Sequence, residues 1–152
     1  MRVIFRSLFL LLFLTSTSLP SRAADKVAII DDQQLLQLEQ KAEQANPRDQ
    51  CFLYTELVSA MTDLAGRQMR RGDPDSALAT LQKVTKYAQL IRSSISRDAK
   101  RLKNAEKLMH DTTFKLNQYL HSASSEDQPT VQATLKQLNQ VQSELLTQVF
   151  SH

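Results

Sequence analysis

Arg71-Gly72-Asp73-Pro74-Asp75 is the stretch that leaves this chain the fewest options. Gly72 suits the residue just past a helix end, where the backbone turns left-handed and a β-carbon would be penalised. Asp73 can accept a hydrogen bond from the free amides of a following helix, and Pro74 at its first position sacrifices no internal bond. Asp75 adds negative charge at the positive end of the helix dipole. One helix stops and another starts within about three residues, so the two must run antiparallel.

The flanks carry the apolar period that such a joint requires. Tyr54, Val58, Met61, Ala65 and Met69 recur at steps of three and four, widened by Leu57 and Leu64. Ala77, Leu81, Val84, Ala88 and Ile91 repeat the pattern beyond the joint. Two such stripes facing each other form a helix-on-helix core, so Cys51 to Ile91 reads as a helical hairpin. Met61, Leu64, Ala65, the Gly72-Asp73-Pro74-Asp75 joint, Ala77 and Leu81 together resemble one tetratricopeptide repeat, over about residues 58–91. Gln68 stands where that family usually carries an aromatic residue and Gln89 where it usually carries proline. No second copy follows, because the next repeat step places Asp98 at a core position. The resemblance implies an interaction-type helical hairpin. The mature chain as a whole is similar to small exported bacterial helical proteins without assigned activity, which implies no site.

At the start of the chain, Arg2 and Arg6 precede the apolar run Leu8 to Leu14, and Ser21-Arg22-Ala23 places small residues where a signal peptidase reads. Residues 1–23 therefore read as a secretory signal cleaved after Ala23, with the mature chain exported to the periplasm or the extracellular space. The apolar run is well short of the ~20 residues a membrane span needs, so no stable span is expected after cleavage. Three of the 19 Lys and Arg leave with the signal, and the remaining 16 balance the 16 Asp and Glu. A chain without net charge gives no global reason to bind nucleic acid. Two glycines and no Trp, with few alternating apolar runs, point to helices almost throughout.

Residues 24–46 open with Val27, Ile29 and Ile30, then Asp31-Asp32 suits a helix start, and Leu35, Leu38, Ala42 and Ala45 form a thin stripe among glutamines. This is a short helix laid over a bundle domain formed by 47–152. Asn46-Pro47-Arg48-Asp49 supplies a cap, a first-turn proline and an acid for the next helix. From Ala88 the apolar series Ile91, Ile95, Ala99, Leu102, Ala105, Met109, Thr113, Leu116, Leu120 runs on with no phase jump. It predicts one helix from about Pro74 to His121, near 70 Å at ~1.5 Å per residue. A break at Ser93, Ser94 and Ser96 would give a four-helix up-down bundle instead. The polar cluster 123–129, ending at Pro129, is a second turn, and Val131, Leu135, Leu138, Val141, Leu145 and Val149 mark a last helix that folds back. The expected fold is all-α: antiparallel hairpins sharing one long central helix.

Chemistry-bearing residues are sparse. Cys51 is the only cysteine and lies on the core stripe, so burial is expected over thiol chemistry. His110 beside Met109 could suggest a soft metal site, but paired metal-ligand spacings are missing and methionines at helical spacing fill cores. There is no glycine-rich phosphate loop and no nucleophile elbow. Hence neither an enzyme nor a metal or other cofactor is expected. Arg97, Lys100, Arg101, Lys103 and Lys107 form a basic run that could meet an acidic partner, and Arg67, Arg70 and Arg71 form another. Asp63, one turn before Arg67, and Asp98, Glu106 and Asp111 make ordinary helix-surface pairing the plainer account of both. The expected function is protein interaction, with another envelope protein or a second copy, through the Gln-rich faces of the first and last helices. A small-ligand bundle, with an apolar molecule near Tyr54, Met61, Met109 and Phe114, is the alternative.

Overall fold

The computed structural model describes residues 31–151. The expected signal, its cleavage site and Val27, Ile29 and Ile30 lie outside the described residues. Five helices, α1 (Asp32–Gln44), α2 (Pro47–Arg70), α3 (Pro74–Ser94), α4 (Leu102–Ser122) and α5 (Gln128–Phe150), account for 84% of what is described, with no strand among it.

Local chemistry sets most helix starts. Asp31 caps α1 in a reciprocal box: its carboxylate accepts from the Gln34 amide at 2.8 Å, and the Gln34 side chain accepts from the Asp31 amide. Asn46 accepts from the Arg48 amide at 3.0 Å ahead of Pro47. At the α2–α3 joint Gly72 adopts φ +76°, and Asp73 accepts from the Ser76 amide at 3.2 Å with Pro74 opening α3. Before α5, the Ser124 hydroxyl donates to Asp127 and Pro129 occupies the first turn.

The expected continuous central helix is broken between Ser94 and Leu102. The hydroxyls of Ser93 and Ser94 donate to the carbonyls of Leu90 and Ile91, offering the last turn an alternative to helical bonding. Ile95 then turns extended. Arg101 reverses the chain in the left-handed region at φ 58°, with its guanidinium 3.8 Å from the Phe52 ring centroid. The linker is bound to the start of α2: the Lys100 amide donates to the Arg48 carbonyl at 2.7 Å, and the Arg48 side chain donates to the Asp98 carbonyl at 2.9 Å. Ile95 and Ala99 still pack against the core, so the apolar register crosses the linker although the helix does not.

Two hairpins result, α2/α3 and α4/α5, laid side by side so that α2 touches α4 and α3 touches α5. Lys115 pairs with Asp63 at 3.0 Å between α4 and α2, and Arg92 with Glu144 at 2.7 Å between α3 and α5. Each touching pair is parallel, since Phe52 meets Arg101 at one end of α2 and Gly66 meets Tyr119 toward the other. The linker therefore crosses the end of the bundle diagonally. α1 lies on α2, on Ala42, Leu35 and Leu38, and its Glu39 accepts a hydrogen bond from the Tyr87 hydroxyl.

The core is aliphatic with two methionines, Met61 and Met109, and the stacked pair Tyr54 and Tyr87 with ring centroids 5.9 Å apart. Six threonines are buried with it: Thr55, Thr62, Thr80, Thr112, Thr113 and Thr134. Each hydroxyl donates to a carbonyl in the preceding turn of its own helix, as Thr62 does to Val58 at 2.8 Å. A threonine satisfied in this way packs as a small apolar residue.

Candidate interaction surfaces

The basic run does not form one face. Lys100 turns to Asp49 at 3.4 Å and Arg101 covers Phe52, so two of its five cations belong to the linker's attachment to α2. Arg97, Arg101 and Lys103 surround a cleft of about 320 Å³ floored by Ala99, Leu102 and Val149, and Lys107 follows one turn later along α4. The first turn of α4 carries no acid and no side-chain cap. In the other basic run, Arg70 lies 5.8 Å from the Tyr119 ring centroid. Asp63 reaches across to Lys115 on α4.

The residues of the expected ligand site are separated. Tyr54, Met61 and Met109 are core residues, whereas Phe114 points outward from α4 and is 61% exposed. Phe114 falls between Thr113 and Leu116 of the buried series and off its phase, so it cannot share a pocket with the methionines. Among the described residues no cluster of three or more His, Cys, Asp or Glu could hold a metal ion. His110 is exposed, and its Nδ1 lies 2.9 Å from the Gln142 side-chain nitrogen across the α4/α5 seam.

Cys51 is fully buried, and burial pushes its thiol up to about 11, against a smaller opposing effect of a hydrogen bond with the Ser94 side chain. Its thiolate is therefore scarce at neutral pH and poorly placed to react. Burial, and then the charge of Glu43, also push the Tyr54 phenol up.

Further concave regions lie among the described residues. One, about 470 Å³, is a trough between the parallel helices α3 and α5, with Gln82 and Thr85 on one wall and Thr130, Ala133, Thr134 and Gln137 on the other. Its lining combines the small side chains of Thr130, Ala133 and Thr134 with the amides of Gln82 and Gln137. Toward the other end the Arg92–Glu144 pair bridges the same two helices. A second groove, about 330 Å³, follows the α4/α5 seam past His110, Phe114, Asn139 and Gln142. A third, about 360 Å³, lies at the start of α2 beside Tyr54 and the Ser93–Asp98 linker.

Sequence period alone could not find the trough, because Ala133 and Thr130 read as ordinary solvent-side positions of α5. The signal lay in their small size, and it acquires meaning only once α3 is known to run beside α5. Among the described residues no helix is long and apolar enough to cross a membrane. Compared with known proteins, the chain matches no family model, no curated protein and no solved structure.

Proposed function

We propose that this chain is an exported helical interaction module that acts by binding another protein of the cell envelope or a second copy of itself, and carries out no catalysis. The observation that supports this reading is the α3/α5 trough. Its small side chains Ala133, Thr130 and Thr134 allow close approach, and Gln82 and Gln137 each present a donor and an acceptor matching those of a peptide group. A partner segment, extended or helical, could lie along it with its main chain or polar face against the amides. In this reading the Gln-rich face of α5 contributes to the contact through Gln137. The hairpin joint at Gly72, Asp73 and Pro74 serves this function indirectly, by fixing α3 beside α2.

The test is affinity capture from envelope extract after mild crosslinking, with residues 24–152 as bait. The expected result is a reproducible partner that is lost when Ala133→Glu fills the trough and kept when residues 24–46 are removed. A clean blank, with no self-association, would contradict the module reading and shift weight to a small-ligand bundle, whose signature is a ligand-dependent rise in Tm.

A further inference from the structure

A second surface lies on the side of the α4/α5 hairpin turned away from α2 and α3. Gln142 lies beside both His110 and Thr113, which sets the two helices in register and brings one outward stripe of each together. On α4 the stripe runs through Lys103, Lys107 and Phe114; on α5 it runs through Lys136, Leu146 and Phe150. Phe114 is 61% exposed, Leu146 42% and Phe150 78%. By the rise per residue, Phe114 and Phe150 stand on opposite sides of the Gln142 crossing, roughly 18 Å apart along the hairpin.

The charge on this face is predominantly positive. Lys103, Lys107 and Lys136 are exposed and make no ion pair among the described residues. Glu144, the only acid of α5, is on the opposite flank with Arg92. Exposed Asp111 stands one turn from both Lys107 and Lys115, and half-buried Glu106 one turn from Lys103, so these acids border the face and offset part of its charge. At the Phe150 end, the cleft among Arg97, Arg101 and Lys103 adds further cations. Isolated apolar tips spaced along a hairpin and surrounded by flexible lysines suit a fluid surface that adapts to them. A folded protein partner would need a matching concavity for each tip.

We propose that this face docks the protein on an anionic lipid surface, with Phe114, Leu146 and Phe150 entering the headgroup boundary while Lys103, Lys107 and Lys136 meet lipid phosphates. The hairpin lies flat on the bilayer without crossing it. The α3/α5 trough is on another flank of the molecule and stays open, so this docking is independent of the proposed protein interaction.

The test is co-sedimentation of residues 24–152, which contain every helix described, with vesicles of phosphatidylcholine alone or mixed with phosphatidylglycerol. The expected result is binding to the mixed vesicles only, weakened by salt. Lys103→Glu, Lys107→Glu and Lys136→Glu combined should lower partitioning at least about tenfold, since each cation near an anionic surface contributes about a factor of five. Phe114→Ser with Phe150→Ser should lower it several-fold at unchanged charge. Circular dichroism of each variant checks that these exposed substitutions leave the helices intact. The proposal is overturned by equal binding to both vesicle types, by no binding, by indifference to the phenylalanine changes, or by self-association through this face without vesicle binding.

Discussion

Gly66 shows how a single side chain can be decided by a neighbour 53 positions away. A β-carbon there would land within clashing distance of Cζ at the phenol end of Tyr119, which covers the backbone of α2 with Arg70 near its face. Gly to Ala in a helix ordinarily stabilises by about 0.5–1 kcal/mol, but here it must displace the ring. Gly66→Ala alone should therefore be neutral or destabilising, while in a Tyr119→Ala background it should regain roughly the full helix preference. A urea double-mutant cycle measures the reversal; additive effects would place Tyr119 elsewhere. Cys51 gives a prediction in pH. Its thiol is raised to about 11 in the fold, so the folded state holds the proton more tightly than the unfolded chain. Stability is full below the unfolded thiol pKa and falls as pH rises toward about 11. Its part of the fall is on the order of 2 kcal/mol, and the difference between wild type and Cys51→Ala, followed by urea midpoints at rising pH, isolates it from tyrosine ionisation. Parallel curves would show Cys51 to be solvated. Burial of Cys51 was legible from its place on the core stripe, as was that of Thr113 in the apolar series, but burial of the other five threonines was not. A hydroxyl counts as polar in a sequence pattern, and only the helix geometry reveals that its own preceding turn satisfies it.

Among the elements, the α3–α4 linker is where reading the sequence and seeing the structure part most clearly. Apolar phase continued through Ile95 and Ala99 because both residues close the end of the core, and phase records burial without recording what the backbone does between buried positions. The decisive signals were the paired serines at the end of α3 and the reach of Arg48 and Phe52 to the linker, contacts some fifty residues distant in sequence. Arg101 tests the assignment. In a helix, Gly at this position would be worse than Val, by a few tenths of a kcal/mol. In the left-handed conformation Gly relieves about 1–2 kcal/mol of backbone strain, which offsets the lost contact with Phe52, whereas a β-branched residue is penalised further. The expected order of stability is Arg101→Gly well above Arg101→Val; the reverse order would restore a helix there. α1 is held by a narrower set of contacts, chiefly Ala42, two leucines and the Glu39–Tyr87 hydrogen bond. Glu39→Ala would leave the hydroxyl of a buried tyrosine without that partner and should cost about 1–3 kcal/mol. It should also raise hydrogen exchange in α1 ahead of the other helices; uniform exchange would mean that α1 is held by something else.

At the scale of the molecule, the helical class, the α2/α3 hairpin and the fold-back of α5 follow from joints and apolar periods that are local in sequence. The surfaces do not, because they depend on which helices become neighbours. The trough exists because α3 lies parallel to α5, and the outward α4/α5 face exists because α4 returns beside α2 instead of continuing the line of α3. Composition hides this organisation, since totals of 19 Lys and Arg against 16 Asp and Glu say nothing of three lysines gathered with two exposed phenylalanines on one face. Everything proposed for function therefore rests on the reversal between Ser94 and Leu102. The most direct measurement is a spin-label distance between Asp75→Cys and Ser122→Cys, in a Cys51→Ala background that removes the native thiol. Asp75 starts α3 next to the end of α2, and Tyr119, one turn before Ser122, touches Gly66 near that same end. The folded-back arrangement predicts a separation within about two to three helix diameters, some 20–30 Å. A distance near 70 Å, the length of ~47 residues in one unbroken helix, would contradict it and dissolve both surfaces together.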